Sequence, residues 1–411
     1  MWPQASIAFR GMVVIVMGRP TPAGRPHAGD GPIEAPAAGS SRIGWLLACL
    51  GVIGLVVAFT SHPTDARAAA SQDWSPFVLV TGLLLIGLVA NDDGLFAAAG
   101  HTLARTASNG IVLFVGACVV VGVVTAVLNL DTSVAFLTPV LVYTARSRGG
   151  GEAPLLYGSL LLSNAGSLFL PGSNLTNLIV LGHVHLSGSQ FLAHMWAPAL
   201  AALVVTAVVV GCVEHRSLRA GLTAASAPER PVVGLGLFAV VAATVLVVAL
   251  QSPALPVACV GAVAVAIRLA SREESVRQVI GVLGVPILVG LFGVAVALGT
   301  LGRVWSGPAT LLSHLDLWGT SIVAAVSSVL VNNLPAASLL SARAPAHPFA
   351  LLIGLNLGPN VFVTGSLAWL LWLKAARRSG ATPSIAKASS LGAIAVPLSM
   401  FAAVGVLALA G

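Results

Sequence analysis

The chain has 411 residues, 57 % of them hydrophobic and only 8 % charged. A soluble domain carries roughly 25 % charged residues, so a water-soluble globule is excluded, and the apolar residues come in long runs rather than in alternation, which excludes a β-barrel. The net charge of +7 sits in short loops, where it orients a protein in a bilayer rather than binding nucleic acid.

Met1 to Arg42 is rich in Pro, Gly and Ala and carries Arg10, Arg19, Arg25 and Arg42; it reads as a disordered, basic, cytosolic tail, residues 1–42. Apolar spans are expected at Ile43–Phe59 and Trp74–Ala90, the second ended by Asn91-Asp92-Asp93-Gly94. Leu95–Ala107, with His101 and Arg105, suits a helix lying in the membrane interface. Ile111–Tyr143 exceeds the about 20 residues of one span and has a polar centre, Asn129-Leu130-Asp131-Thr132-Ser133. It reads as a re-entrant hairpin with its tip near the midplane.

Arg146, Arg148 and Glu152 mark a loop, and Pro154–Leu181 is a span broken at 163–167 and again at 171–177. Phe191–Val213 is a clean span, and the polar loop 214–231 holds Arg216, Arg219 and Arg230. Further spans are expected at Val232–Leu250, Leu255–Ile267 and Val279–Leu298, followed by a polar segment, Gly302–Asp316. A second hairpin, Leu317–Leu340, has Asn332-Asn333 at its tip, and Pro348–Leu373 is a second broken span, interrupted at Gly354–Asn360 and Val363–Ser366. Lys374, Arg377, Arg378 and Lys387 form a basic loop before the last span, Leu391–Ala410. Such breaks are tolerated at membrane depth only where the backbone is buried in protein or lines a cavity.

With the N-terminus cytosolic, the C-terminus external and each hairpin returning to its own side, all of the 20 Lys and Arg residues except Arg67, Arg303 and Arg343 fall inside. This positive-inside bias supports the hairpins, because a full span in place of the first would move Arg146 and Arg148 outside. The two halves also match. Val127-Leu128-Asn129-Leu130-Asp131 aligns without gaps on Val329-Leu330-Val331-Asn332-Asn333, and Gly172-Ser173 and Gly365-Ser366 each open an apolar half-helix. One hairpin opens inward and the other outward, which is the inverted-topology repeat of many secondary transporters. The expected fold is an all-α polytopic membrane protein with a first repeat at 43–213 and a second at 232–411. It holds about nine to ten full spans, two re-entrant hairpins and two broken helices.

Of the thirteen Asp and Glu residues, Asp131 alone is expected deep in an apolar run, at an insertion cost of roughly 2.5–3.5 kcal/mol. Burial disfavours its charge while neighbouring amides and helix N-termini favour it, so it is the candidate carrier of a coupling proton. The other candidate binding groups are hydroxyls and amides in the four interruptions: Asn129, Thr132, Ser173, Asn174, Thr176, Asn177, Asn332, Asn333, Asn356, Asn360, Thr364 and Ser366. No Lys or Arg lies among them. No enzyme is indicated: there is no HExxH and no other catalytic constellation, and His183 and His185 read as a surface pair in an outer loop. Cys49, Cys118, Cys212 and Cys259 lie in different apolar runs without a CxxC pair and read as small buried core residues. Neither a metal site nor a cofactor is expected. Without a GxxxxGK[ST] phosphate loop, ATP could enter only through a separate ATPase subunit.

Leu128–Ser133 with Leu137-Thr138-Pro139, Val331–Pro335, and Asn356–Asn360 with Thr364-Gly365-Ser366-Leu367-Ala368 resemble arsenite efflux permeases of the ArsB type. Those permeases belong to a superfamily that includes sodium-coupled dicarboxylate carriers and some sodium/proton antiporters. The resemblance covers roughly residues 43 to 411, and Leu357–Asn360 with Thr364–Ala368 is its most specific part. It implies a scaffold domain and a moving transport domain, and export of arsenite or antimonite against protons across the cytoplasmic membrane. A small-anion carrier or a sodium/proton antiporter on the same fold is the alternative, and a homodimer is a further state it allows. By the same resemblance, Asp131, Thr132, Ser173, Asn332, Asn333 and Ser366 fall at binding positions. Two departures stand out: the first half lacks a counterpart of Val232–Leu250, and the N-terminal tail is unusual.

Overall fold

The computed structural model of the chain describes residues 42–184, 186–219, 221–223, 234–271 and 275–410. The tail expected at 1–42, apart from Arg42, lies outside the described residues, as do His185 and Arg230. All regular secondary structure among the described residues is helical.

Helices α1 (Arg42–Ser61) and α2 (Pro63–Asp92) meet at His62. Pro63 suits the first helical position, where a missing N–H leaves nothing unpaired. The sequence placed the start of this span at Trp74, but the helix starts at Pro63. At about 1.5 Å per residue it runs about 45 Å, longer than a hydrocarbon core of about 30 Å. Asp73, expected at a span end, therefore lies inside α2 and is only 2 % exposed. α3 (Leu95–Thr106) packs along the first hairpin, with Gly100 against Val140 and Thr144.

That hairpin is α4 (Gly110–Val127) and α5 (Leu130–Ser147), with only Leu128 and Asn129 between them; Asp131, Thr132 and Ser133, expected in the tip, are already helical. α6 (Ala153–Gly166), a 3-10 turn at Pro171–Ser173 and α7 (Leu175–Val180) make the first broken span. α8 (Gly188–Val213), the short α9 (His215–Leu218), α10 (Leu235–Ala249) and α11 (Ala254–Ala270) follow. The span expected at Val279–Leu298 is two helices, α12 (Val276–Leu283) and α13 (Val285–Val304). They are broken at Gly284, whose φ of 55° is the left-handed conformation that favours glycine. The polar segment 302–316 contains α14 (Gly307–Ser313). α15 (Leu317–Val331) and α16 (Asn333–Leu340) form the second hairpin. α17 (Pro348–Leu357), a turn at Gly358–Val361 and α18 (Leu367–Arg378) form the second broken span, and α19 (Ile385–Ala410) ends the chain. Among the described residues six segments are long and apolar enough to cross a membrane: α1, α2, α4, α8, α12 with α13, and α19. α10, α11, α15 and α17 are apolar but shorter.

The helices pack in two groups. In the first, α1 lies along α13, and α2 along α11 and α13. A Cβ at Gly51 would fall 2.3 Å from Gly290 O, and one at Gly261 would fall 2.6 Å from Gly82 O. Small residues allow this backbone approach, which is how helices bind each other where lipid removes the hydrophobic drive. In the second group α4 packs on α6, α15 on α17 and α8 on α19. The halves are interlocked there: α5 of the first hairpin packs on α18, and α16 of the second packs on α7.

The basic loops converge at one end of the second group. Arg146 bonds Glu152 and the carbonyls of Ser379 and Gly380. Arg148 donates to Thr223 O and Ala107 O. Lys387 pairs with the buried Glu214 at 2.6 Å, joining α8 to α19. Of the four cysteines only Cys118 is the buried core residue expected; Cys49, Cys212 and Cys259 lie exposed on three different helices, which corrects that expectation for them.

Candidate functional site

Each hairpin turns on an asparagine. Asn129 Oδ1 accepts from Thr132 N at 2.7 Å, and Asn332 Oδ1 accepts from Leu334 N at 3.3 Å. Asparagine is a favoured N-cap because its side-chain oxygen satisfies an orphan N–H of the first turn. It also tolerates the left-handed backbone that Asn332 adopts, with φ of 83°. The caps shift the register of the internal repeat by one residue. Asn129 matches Asn332, so the structural counterpart of Asp131 is Leu334 rather than Asn333.

The tips are held by the broken spans. Ser173 Oγ donates to Ala126 O at 3.0 Å in the first half, and Thr364 Oγ1 donates to Val329 O at 2.6 Å in the second. Asn332 Nδ2 also bonds Thr364 O, and Asn333 N bonds Gly365 O at 2.8 Å. Just beyond, Asn174 caps α7, its Oδ1 accepting from Thr176 N. Ser366 occupies the N-cap position of α18, yet its side chain makes no capping bond.

The first residues of α5, α7, α16 and α18 face one another across a cleft of about 360 Å³ of empty space. Its polar lining is Asp131, Asn174, Thr176, Asn332, Asn333 and Ser366, with Leu130, Leu175, Leu291, Leu334, Leu367 and Ala368 between them. Ser366 Oγ and Thr176 Oγ1 are buried without a hydrogen-bond partner. Asn333 is 5 % exposed, and its side-chain amide has no partner among the described residues. A buried polar group left unpaired costs about 1–3 kcal/mol; two such hydroxyls, Thr176 and Ser366, lie around this cleft, beside the half-buried Asp131 carboxylate and the Asn333 amide. The helices α5, α16 and α18, of 18, 8 and 12 residues, aim their N-termini at it. Each supplies partial positive charge; α7, of 6 residues, is too short to add much and contributes side chains instead. No Lys or Arg lines the cleft.

The remaining sequence candidates lie behind it. Asn129 caps, and Thr132 Oγ1 is buried against Gly87 of α2 without a partner. Asn177, Asn356 and Asn360 form a buried network between the two broken spans. Asn356 accepts from Ser167 Oγ and Asn174 Nδ2 and donates to Asn177 Oδ1 at 2.7 Å, while Asn164 Nδ2 donates to Asn360 Oδ1 at 2.8 Å. Their amides are satisfied by protein and hold the two halves together. Thr364 is exposed and ties the second tip. Asn164, read in the sequence as part of the interruption at 163–167 but not as a binding group, joins the buried network, and Asp73 was missed because its helix starts earlier than expected.

Asp131 also borders a second, larger opening of about 630 Å³, lined by Val80 and Leu84 of α2, Val282 to Leu291 of α12 and α13, and Ala135, Phe136, Leu367 and Leu371. It separates the two helix groups and is apolar apart from Asp131.

Residues 40–373 match the family described as "Citrate transporter". An "Arsenical pump membrane protein" of Escherichia coli is 25 % identical over 365 residues, covering 80 % of this chain and 85 % of the relative. A "Silicon efflux transporter" of Oryza sativa subsp. japonica is 26 % identical over 171 residues, 41 % of this chain and 35 % of the relative. The crystal structure of the Alcanivorax borkumensis YdaH transporter covers 90 % of this chain and 98 % of its own, at a TM-score of 0.56 and 15 % identity, a likeness of fold.

Proposed function

The chain belongs to the citrate transporter family, and on that premise we propose that this secondary membrane transporter exports arsenite or antimonite across the cytoplasmic membrane in exchange for protons. The observation that carries the proposal is the lining of the cleft: hydroxyls, amides and a single carboxylate, with no basic side chain. Arsenite at neutral pH is mostly a neutral triol. Its three hydroxyls can donate to and accept from Ser366, Thr176, Asn333 and Asp131 without a formal counter-charge. The names of the curated relatives, arsenical pump and silicon efflux transporter, point the same way.

In this reading the group built on α1, α2 and α10 to α13 is a fixed scaffold. The group of hairpins and broken spans, with α8 and α19, is the moving domain that carries the cleft. The end bearing Arg146, Arg148 and Lys387 faces the cytosol, which leaves the N-terminus inside and the C-terminus outside. Asp131, on the cleft wall and open to the space between the groups, takes the coupling proton.

A second reading is carriage of a small carboxylate anion, with sodium or protons as the coupling ion. The converging N-termini of α5, α16 and α18 favour it, since helix N-termini bind anions without basic side chains. One experiment separates the two. Expression in an arsenite-sensitive host should lower cellular arsenite, whereas unchanged arsenite together with uptake of a labelled dicarboxylate would install the second reading.

A further inference from the structure

Side-chain hydrogen bonds from Gln72 and Arg343 cross between the two helix groups, together at the end away from the basic loops. Gln72 of α2 donates through Nε2 to Ile179 O at 2.9 Å and, more weakly, to Ser341 O at 3.4 Å. Arg343 donates to Arg303 O at 2.7 Å. Ile179 ends the half-helix α7 and Ser341 follows α16, so one amide reaches the C-terminal carbonyls of a half-helix from each half of the chain. Such carbonyls have no partner within their own helix and carry partial negative charge.

The amide is held in that orientation. Its Oε1 accepts from Arg303 Nη2 at 2.5 Å, and Arg303 Nη1 donates to Gly299 O at 2.9 Å on its own helix. The buried Asp73 carboxylate stands close enough for its charge to act on that guanidinium. His183 Nε2 donates to the same Ser341 O at 2.9 Å. On the other side of the cleft the surfaces between the groups are Val80, Leu84, Val282, Leu283, Ile287 and Leu288 against Ala135, Phe136 and Leu371. Apolar walls of this kind carry no directional bonds that would resist sliding.

We propose that Gln72, aimed by Arg303, is the gate residue that holds the cleft closed at this end and open toward α12. The inference rests on the two-group reading above and adds which contact must break before the cleft can open on the far side. Releasing it means losing bonds to two half-helix ends together, one from each half, so the gate acts on both hairpins at once. The expected bias toward the present state is about tenfold, the order given by a net loss of one or two hydrogen bonds.

The test uses the full chain with its four native cysteines replaced and a single reporter, Ala135→Cys, on the wall of the apolar opening that borders the cleft at Asp131. A membrane-impermeant maleimide is applied to inverted and to right-side-out membrane vesicles, and the ratio of the two labelling rates is read. The reporter should label faster from the face bearing the basic loops. Gln72→Leu should shift the ratio about tenfold toward the other face. Gln72→Glu still accepts from Arg303 but cannot donate to the carbonyls, so it should shift the ratio the same way and guards against a packing defect in the leucine variant. A ratio unchanged in a monodisperse variant overturns the gate and leaves the two-group reading standing. A reporter that labels equally from both faces, or from neither, in the starting protein overturns both.

Discussion

Ser173 and Thr364 make the same bond in the two halves of the chain: each hydroxyl donates to the carbonyl three residues before a hairpin-tip asparagine, Ala126 O before Asn129 and Val329 O before Asn332. Those carbonyls belong to the last turns of α4 and α15, where helical carbonyls lose their intrahelical partners. The hydroxyl replaces the partner and fastens the tip to the broken span beside the cleft.

Thr364→Val removes this bond with little change of shape, and Ser173→Ala removes it together with the bond Ser173 Oγ accepts from Leu170 N. Each is expected to cost about 1 kcal/mol or more of stability, a drop of about 1–2 °C in the unfolding midpoint for a chain of this length. Thermal unfolding in detergent reads it. A drop in both variants, at least as large for Ser173→Ala because of its second bond, fits the fastening, and no drop in either means the tips are held by packing alone.

Asn356 should matter far more. Its amide is satisfied on every side, accepting from Ser167 Oγ and Asn174 Nδ2 and donating to Asn177 Oδ1 and Leu352 O, and the residue is fully buried. Asn356→Leu leaves Asn174 Nδ2 and Asn177 Oδ1 without their partner and takes one of the two bonds of Ser167 Oγ, at about 1–3 kcal/mol for each buried group left unpaired, a large part of the stability of an ordinary domain. Little monodisperse protein is expected by size-exclusion chromatography. Ser167→Ala loses the bonds to Asn164 O and Asn356 Oδ1 but leaves Asn356 its bonds with Asn174 and Asn177, so it should lose much less of the starting yield.

The arrangement of spans was legible because apolar run length and polar interruption are strong signals at the scale of whole helices. The tips were legible for the same reason, since Asn129 and Asn332 interrupt sequence that is otherwise apolar. Which amides are left open to the cleft was not. Asn356 and Asn333 are the same residue type in similar surroundings, yet one is saturated by Ser167, Asn174 and Asn177 and the other is left without a partner. That difference depends on contacts between residues some 180 positions apart, such as Asn174 with Asn356, and no local pattern carries them. Asp73 was hidden for a different reason. Asp65, Arg67, Gln72 and Asp73 made the start of α2 look like a loop, whereas in the fold Arg303 and the second helix group shelter its polar side.

The orientation can be checked at positions the structure leaves free. Arg148 is buried by its bonds to Ala107 O and Thr223 O, so a cysteine there would disturb the fold it is meant to report. Arg216 and Ala346 are exposed, at opposite ends of the second group. In a background without native cysteines, Ala346→Cys is expected to react with an impermeant reagent added to intact cells and Arg216→Cys only after permeabilisation. The reverse pattern inverts the topology.

Asp131→Asn tests the coupling. Asp131 lies in the first turn of α5, lines the cleft, and borders the apolar space between the helix groups. It is therefore placed to meet both the ligand and a proton arriving along the interface. Its structural counterpart in the other half, Leu334, cannot titrate, so the two hairpins are not equivalent and one proton site per cleft is expected. Asparagine keeps the shape and polarity of the side chain and removes the titration. In inverted vesicles the variant should still exchange labelled arsenite with no gradient imposed, while accumulation driven by a pH gradient should fall to the exchange level. If the variant still concentrates arsenite in response to that gradient, the proton is carried elsewhere. Asp73 is then the next carboxylate to replace, because it is the other one buried inside a spanning helix and it sits beside the Gln72 contact between the two groups. If driven accumulation survives replacement of both and follows a sodium gradient instead, the coupling ion is sodium.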